Sequence, residues 1–387
     1  MNFLFLGPGY PGVEGPSAGS GIGTYLREIT QGLTTAGHSC HVLVWGKAEG
    51  RREQTVDGVV VHLQPRGYWR VIERFWPESR NVYCRGKVAK KLDSGHRFDW
   101  IEIESDEGID IGVQRRLPEK TILRVHTTLA QMVEHKQVPV TATVRRNLAR
   151  ERRSIAIAPR ILTHSALHAG ELRARFAPRG DMQVVPHGID LPANGHRETV
   201  GPPPGAARFV VVGTPDRRKG FDRIRPVLES YARRHGPCQA VIISRAEPEA
   251  RNGFGLGVSV PAGVEVTWRC GISRDELLME YQRATALLHL ARYESFGLPL
   301  VEAAAVGTPV ITTRVGVAPE LLSGPVQKFL VDGDAPDACA DALAPAARMR
   351  EGIGADLARV VRERFSRRTM VDALLAVLAS WGGSSKR

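Results

Sequence analysis

Glu294-Ser-Phe-Gly-Leu-Pro-Leu-Val-Glu302 is the stretch on which the reading of this chain turns. Just before it, Ala284 to Leu290 (ATALLHL) is a short apolar run of the kind that forms a buried parallel strand. Just after it, Leu298 to Val306 has a helical pattern, with Pro299 suited to a first turn. Gly307-Thr308-Pro309 stops that helix before another strand begins at Val310. Glu294 is therefore expected on the loop at a strand's carboxyl end, and Glu302 within the first turn of a buried helix. A buried carboxylate costs several kcal/mol unless something satisfies it. Open parallel sheets bind ligands at the carboxyl ends of their strands, where helix amino ends offer free N–H groups to phosphates. Phe296-Gly297-Leu298 supplies such backbone, and two acids flanking an anion site are best explained as acceptors for sugar or ribose hydroxyls.

The rest of the chain repeats this strand–loop–helix alternation twice over. Asn2–Leu6 reads as a first strand, followed by a glycine-rich loop from Gly7 to Gly23, a helix from Ile22 and a strand at Cys40–Trp45. Further strands are expected at Gly58–Leu63, Phe98–Glu104, Thr121–Val125, Arg160–His164 and Met182–Val185. Val185-Pro-His-Gly-Ile-Asp190 reads as a hinge turn in which Gly188 supplies a positive φ. A linker, 191–207, carries Gly201-Pro-Pro-Pro-Gly205. A second series starts at Arg208, with helices at Gly220–Arg234 and Arg274–Arg283. The expected organisation is an α/β chain of two Rossmann-like doubly wound domains, 1–190 and 208–365. A last helix within 366–387 packs back on the first domain and ends in a frayed tail.

Composition narrows the class. The chain has 387 residues, 42% of them hydrophobic and 24% charged, which suits two globular domains with their own cores. The five cysteines are scattered without paired spacing, which points away from a disulfide framework and towards a reducing cytoplasm. No apolar run approaches the ~18 residues of a spanning helix. A net charge of +12 suits anionic partners, namely nucleotide diphosphates or acidic lipid. Nucleic acid is the weakest of these, because no recognition motif for it is present. The segment Tyr68–Lys91 interleaves aromatics with basic residues, a pattern that fits either a solvated helix face or peripheral contact with an anionic inner-membrane surface. Asp332-Gly333-Asp334 imitates a metal-binding pair but reads as a turn followed by a helix cap.

ESFGLPLVEAAAVGTPVITT closely resembles the signature of retaining, nucleotide-sugar-dependent glycosyltransferases of the GT-B fold, family GT4 (glycosyl transferases group 1). The resemblance runs through several motifs over nearly the whole chain. It implies two facing domains with a catalytic cleft between them, the first binding the acceptor and the second the donor. By motif position, Glu294 binds donor-sugar hydroxyls, Glu302 the ribose hydroxyls, and Ser295, Phe296, Gly297 and Leu298 lie along the donor. His126, at a strand end, matches a histidine that faces the donor sugar. Gly21 stands where one of a pair of glycines approaches the diphosphate; Ser20 replaces the other. In Gly213-Thr-Pro-Asp-Arg-Arg-Lys-Gly220 the lysine of the family is Lys219, while Thr214 occupies the place of an arginine, leaving Arg217 or Arg218 to supply that contact. The implied reaction is transfer of a hexosyl group, UDP-sugars being the favoured donors, to a hydroxyl of a glycan, a lipid-linked acceptor or a small molecule. The implied mechanism is front-face attack, with no cofactor and no tightly bound metal. Two other readings fit the two-domain plan: a nucleotide-sugar 2-epimerase and a non-catalytic sugar-nucleotide-binding protein. The two acids together with the Arg-Lys-Gly loop favour transfer.

Overall fold

The fold was obtained as a computed structural model that describes residues 1–13, 21–46, 51–65, 77–105, 110–190, 206–245, 260–348 and 350–383. It divides into two units: Met1–Val133 with Val138–Asp190 and Arg367–Arg387, and Glu134–Gln137 with Leu191–Ser366. Most of the expected linker, residues 68–76 of the aromatic-basic segment and the tail from residue 384 lie outside the described residues.

The first unit is built on an eight-stranded sheet of order β3-β4-β2-β1-β5-β6-β7-β8. Its strands are β1 (Asn2–Leu6), β2 (Ser39–Gly46), β3 (Arg52–Val56), β4 (Val59–Pro65), β5 (Trp100–Glu104), β6 (Thr121–Arg124), β7 (Arg160–Thr163) and β8 (Asp181–Val184). All pairs are parallel except β3 with β4, a hairpin closed by Asp57 and Gly58, both at positive φ. That hairpin was not among the expected elements, although Asp-Gly between β-branched residues is its usual signal. β1 lies between β2 and β5, so the chain reverses its winding there and opens a crevice at the carboxyl ends of β1 and β5.

Helix α1 (Gly21–Thr35) buries Tyr25, Leu26, Ile29 and Leu33, an i, i+1, i+4, i+8 stripe. The same core takes Met370, Val371, Leu374, Leu378 and Trp381 from the last helix, Arg367–Gly383. Gly32 lets the two helices approach, since a Cβ there would lie 2.6 Å from Val371 Cγ2. Gly188 differs from expectation. It is not among the positive-φ glycines, and its N–H instead lies 3.1 Å from Met370 Sδ.

The second unit has a five-stranded parallel sheet of order β11-β10-β9-β12-β13. Its strands are β9 (Ala207–Val212), β10 (Cys238–Ser244), β11 (Val264–Cys270), β12 (Ala286–His289) and β13 (Val310–Thr312). β12 (ALLH) is buried along its whole length, as a central strand must be, whereas β11 at the edge alternates in exposure. Its reversal point lies between β9 and β12.

The loop after β9 and the loop after β12 are held together by backbone. Arg292 N–H donates to the Arg218 carbonyl (2.8 Å), and the Arg292 guanidinium to that of Arg217 (2.9 Å). Gly220 sits at φ +69, and a Cβ there would lie 1.9 Å from the Leu290 carbonyl oxygen. Both the dihedral and the backbone contact forbid a side chain. Gly220→Ala should therefore cost about 3 kcal/mol or more of stability in denaturant unfolding. Unchanged stability would show that this loop does not lie against β12.

Candidate functional site

Glu294 lies on the loop that leads from β12 to the helix Leu298–Ala305. Its carboxylate is buried at 7% exposure and is surrounded by cations. Lys219 Nζ donates to Glu294 Oε1, His289 Nε2 lies 3.1 Å from the same oxygen, and an Arg218 nitrogen lies 3.7 Å from Oε2. Burial alone would raise the pKa of this carboxyl, but Lys219, then His289 and Arg218, hold it well below the usual carboxylate range. His289, buried and flanked by these cations, is lowered by burial despite the neighbouring carboxylate. It is thus neutral and donates through Nε2–H. Lys219 is aimed by its loop: its N–H donates to Asp216 Oδ1 (2.8 Å), and the Gly220 N–H to the Arg217 carbonyl (3.0 Å).

The helix after Glu294 is preceded by Gly297 at its N-cap, which takes φ +96, and no side chain caps its amino end. Pro299 has no N–H and the Leu300 N–H donates to the Gly297 carbonyl at 3.0 Å, which leaves the N–H groups of Gly297 and Leu298 for an anion. Phe296 is buried, its carbonyl accepts from Val317 N–H at 2.8 Å, and Ser295 and Leu298 are half-buried beside it. Glu302 corrects an expectation. It falls in the second turn rather than the first, because a helix that starts at Leu298, as expected, makes it the fifth residue, beyond the ~3.6 residues of one turn. It is not a cap of its own helix: its carboxylate, 9% exposed, accepts from the Tyr281 hydroxyl at 3.3 Å. Arg217 is half-buried on the loop that carries Lys219. Asp334 forms an ion pair with Arg223, and its N–H donates to Asp332 Oδ1 at 3.0 Å, so this acidic pair shapes a turn.

In the first unit His126 follows β6, with its Nε2 against Glu104 Oε2 and its Nδ1 2.8 Å from His164 Nε2. Burial, then Arg124, pushes its pKa down to about 3. Beneath it lies a polar cluster that sequence reasoning missed. Arg124, fully buried, pairs with Glu102 at 3.2 Å, donates to the Val185 carbonyl and lies over the Tyr25 ring. Tyr25 in turn donates to Glu102 at 2.5 Å. The available signal was the pair of acids at alternate positions of a strand buried throughout, WIEIE, since buried carboxylates require partners. His289 was missed too, although a histidine closing the apolar run ALLH five residues before Glu294 marked it. A pocket at the carboxyl ends of β1 and β5 is lined by Gly7, Arg85, Glu104 and Asp110, among others. Gly21 is the exposed first residue of α1. Each unit thus has a cluster of charged side chains beside the point where its sheet reverses winding.

Residues 19–192 match the description Glycosyltransferase Family 4, and residues 194–355 match Glycosyl transferases group 1. Among curated proteins, the chain is similar to a D-inositol 3-phosphate glycosyltransferase of Corynebacterium urealyticum. That match is 30% identical over 44% of this chain and 42% of the relative. A protein of the same name from Pseudarthrobacter chlorophenolicus is 25% identical over 83% of this chain and 81% of its own length. The chain spans about half the length of the first relatives it matches, 42% and 54%. Among solved structures, sucrose-phosphate synthase from Thermosynechococcus elongatus superposes with a TM-score of 0.72. At 18% identity, that match covers 99% of this chain and 100% of the other. A trehalose-6-phosphate synthase gives 0.71 at 13% identity, covering 98% and 99%.

Proposed function

The chain belongs to the family 4 glycosyltransferases, the glycosyl transferases group 1, and has the GT-B fold; from that premise we propose that it moves a hexosyl group from a nucleotide-diphosphate sugar to a hydroxyl acceptor with retention of configuration. The observation that carries this reading is Glu294 paired with Lys219, Arg218 and His289 beside an uncapped helix amino end. The carboxylate and the ammonium neutralise each other in this ion pair. A bound donor separates their tasks: Glu294 accepts from sugar hydroxyls, and Lys219, Arg218 and the helix N–H groups face the diphosphate.

As the glycosidic C–O bond to the diphosphate lengthens, negative charge grows on the leaving oxygen, and fixed cations stabilise it more than they stabilise the ground state. The acceptor oxygen bonds to the anomeric carbon on the same face, and its proton passes to the departing phosphate. The cations and amides supply this charge without a metal ion. Glu302 takes the ribose hydroxyls. By resemblance His126, neutral at physiological pH, hydrogen-bonds the donor sugar, and Gly21 admits the diphosphate. A UDP-sugar is the favoured donor.

For the acceptor we favour a small phosphorylated polyol over a lipid. Relatives of this chain are named for inositol 3-phosphate. The aromatic-basic segment adds no support for a membrane acceptor, because residues 68–76 lie outside the described residues. No helix among the described residues is long and apolar enough to cross a membrane.

The test is a thermal-shift panel of UDP-, GDP-, ADP- and dTDP-sugars, followed by nucleoside diphosphate release in the presence of inositol and hexose phosphates. A donor at 100 times its dissociation constant should raise stability by about 2.7 kcal/mol. Glu302→Gln should weaken the free nucleotide by roughly 1.5–3 kcal/mol, at least tenfold, because a charged acceptor is lost. No shift with any of the sugars would overturn the reading.

A further inference from the structure

We propose that His41, His62 and His96 form a binding site for one divalent transition-metal ion, zinc by preference, at the amino-terminal end of the first unit's sheet. Alternation along β2 places Cys40, Val42 and Val44 in the core under α1 and Leu43 and Trp45 in the core on the opposite face. His41 continues the second row. In the parallel register of β2 with β4, His62 lies opposite Leu43, so the two imidazoles meet on one face, two residues apart along the strands. Both are buried, at 7% and 4% exposure. His96 is the last residue of the helix Pro77–His96, and its carbonyl accepts from Asn2 at the start of β1. Its ring reaches the pair from the solvent side, with centroids 4.5 Å from His41 and 5.5 Å from His62. One nitrogen from each of the three rings lies within 4.8 Å of the others, the only such group of potential metal ligands among the described residues.

The hydrogen bonding favours a ligand role. His41 Nδ1 lies 2.9 Å from His62 Nε2, and His62 Nδ1 lies 3.0 Å from Glu53 Oε2. A carboxylate on the far nitrogen of an imidazole holds its proton there and leaves the near nitrogen with its lone pair, the arrangement that orients metal-binding histidines. Glu53 comes from β3 and stands directly opposite His62 in the hairpin register. Around a tetrahedral zinc with Zn–N of about 2.0–2.1 Å, ligand nitrogens lie roughly 3.3 Å apart. The buried pair is a few tenths of an ångström tighter than that, and a rotation of exposed His96 brings in the third. Three imidazoles suit zinc, copper or nickel rather than magnesium or calcium, which prefer oxygen. With His96 exposed, the fourth position opens to water. A bound ion would tie β2, the β3–β4 hairpin and the carboxyl end of the helix together, at the opposite end of the strands from Gly7 and Glu104.

Titration of the untagged, chelator-treated full chain with zinc chloride by calorimetry tests this, with cobalt(II) as an absorbing substitute. We expect one zinc per chain, visible bands of tetrahedral cobalt, and a rise in melting temperature with zinc but not with magnesium. Glu53→Gln should weaken binding about 10- to 100-fold, the usual cost of an outer partner. His96→Ala should weaken it further while leaving the metal-free melting temperature near wild type. His62→Gln, which keeps a side chain of similar reach, should abolish the cobalt spectrum. No saturable zinc binding by the folded wild-type chain would overturn the proposal, and so would stoichiometric binding that survives both histidine substitutions. Either result would leave a neutral histidine–histidine hydrogen bond as the whole role of the pair.

Discussion

Glu294→Gln should reduce transfer by about 100- to 1,000-fold, the range that one preorganised charged contact commands in turnover. Affinity for the free nucleoside diphosphate should stay within a few-fold of wild type. The two expectations differ because of what Glu294 touches. Its partners are Lys219, Arg218 and His289, and a glutamine leaves the ammonium of Lys219 free for phosphate rather than removing it. Steady-state kinetics beside calorimetric titration of the diphosphate separates the cases. Wild-type turnover would remove Glu294 from the site, and a parallel collapse of both quantities would make it a mere support for the loop. The substitution also leaves two part-buried cations, 15% and 12% exposed, without their anion. Breaking a fully buried pair costs about 3–5 kcal/mol, and residual solvation places this one towards the lower end. Kinetics should therefore be measured well below the melting temperature of the variant. Glu294→Asp, which keeps the charge but shortens its reach, should recover stability before it recovers turnover.

The part of this site that is contiguous in sequence was legible from sequence. A strand, a short loop, Gly297 and Pro299 specify where the helix begins, and the Lys219-Gly220 pair could be placed on the loop after the first strand of the second series. The structure adds why a glycine must follow the lysine: the loop lies against the Leu290 carbonyl. What could not be read depends on register between distant strands. Glu104 is the partner of Arg124 in the β5–β6 register, yet the guanidinium bonds to Glu102, one step back along the same face. No local pattern encodes that choice, which follows from Tyr25 reaching in from α1 to share the same carboxylate. The histidines at 41, 62 and 96 have no motif spacing either, and they meet only because β2 and β4 pair in parallel with a helix end beside them. Placing Glu302 one turn early had a different cause. From Leu298, where the helix was expected and does begin, Glu302 is the fifth residue, past the ~3.6 residues of one turn, so the error lay in the turn count and not in the helix start.

Acidification from pH 7.5 to 5 should destabilise the first unit sharply. His164 is fully buried beside His126 and Arg124, and burial, then His126 and Arg124, keeps its pKa well below 6.5. Burial, then His126, lowers His168 from 6.5 to about 3. Both histidines are therefore neutral when folded, whereas the unfolded chain takes up their protons as pH drops below about 6.5. Their stabilising effect is complete above that value and is lost as pH falls towards the folded pKa. Each proton bound only by the unfolded chain costs about 1.4 kcal/mol per pH unit, so the pair removes about 4 kcal/mol by pH 5. That is a large share of the roughly 5–15 kcal/mol by which domains are stable. Glu294 acts in a lower window. Its folded pKa is depressed from 4.5, so its contribution persists until pH falls below that value. Denaturant unfolding at half-unit steps of pH, with fluorescence and circular dichroism compared, should show the loss beginning near 6.5. His168→Gln, which keeps a hydrogen-bonding group for Thr163 but cannot take up a proton, should flatten the slope by about one proton. A stability profile level between pH 7.5 and 5 would mean that these histidines are charged in the folded protein, and the neutral assignment of His126 would fall with theirs.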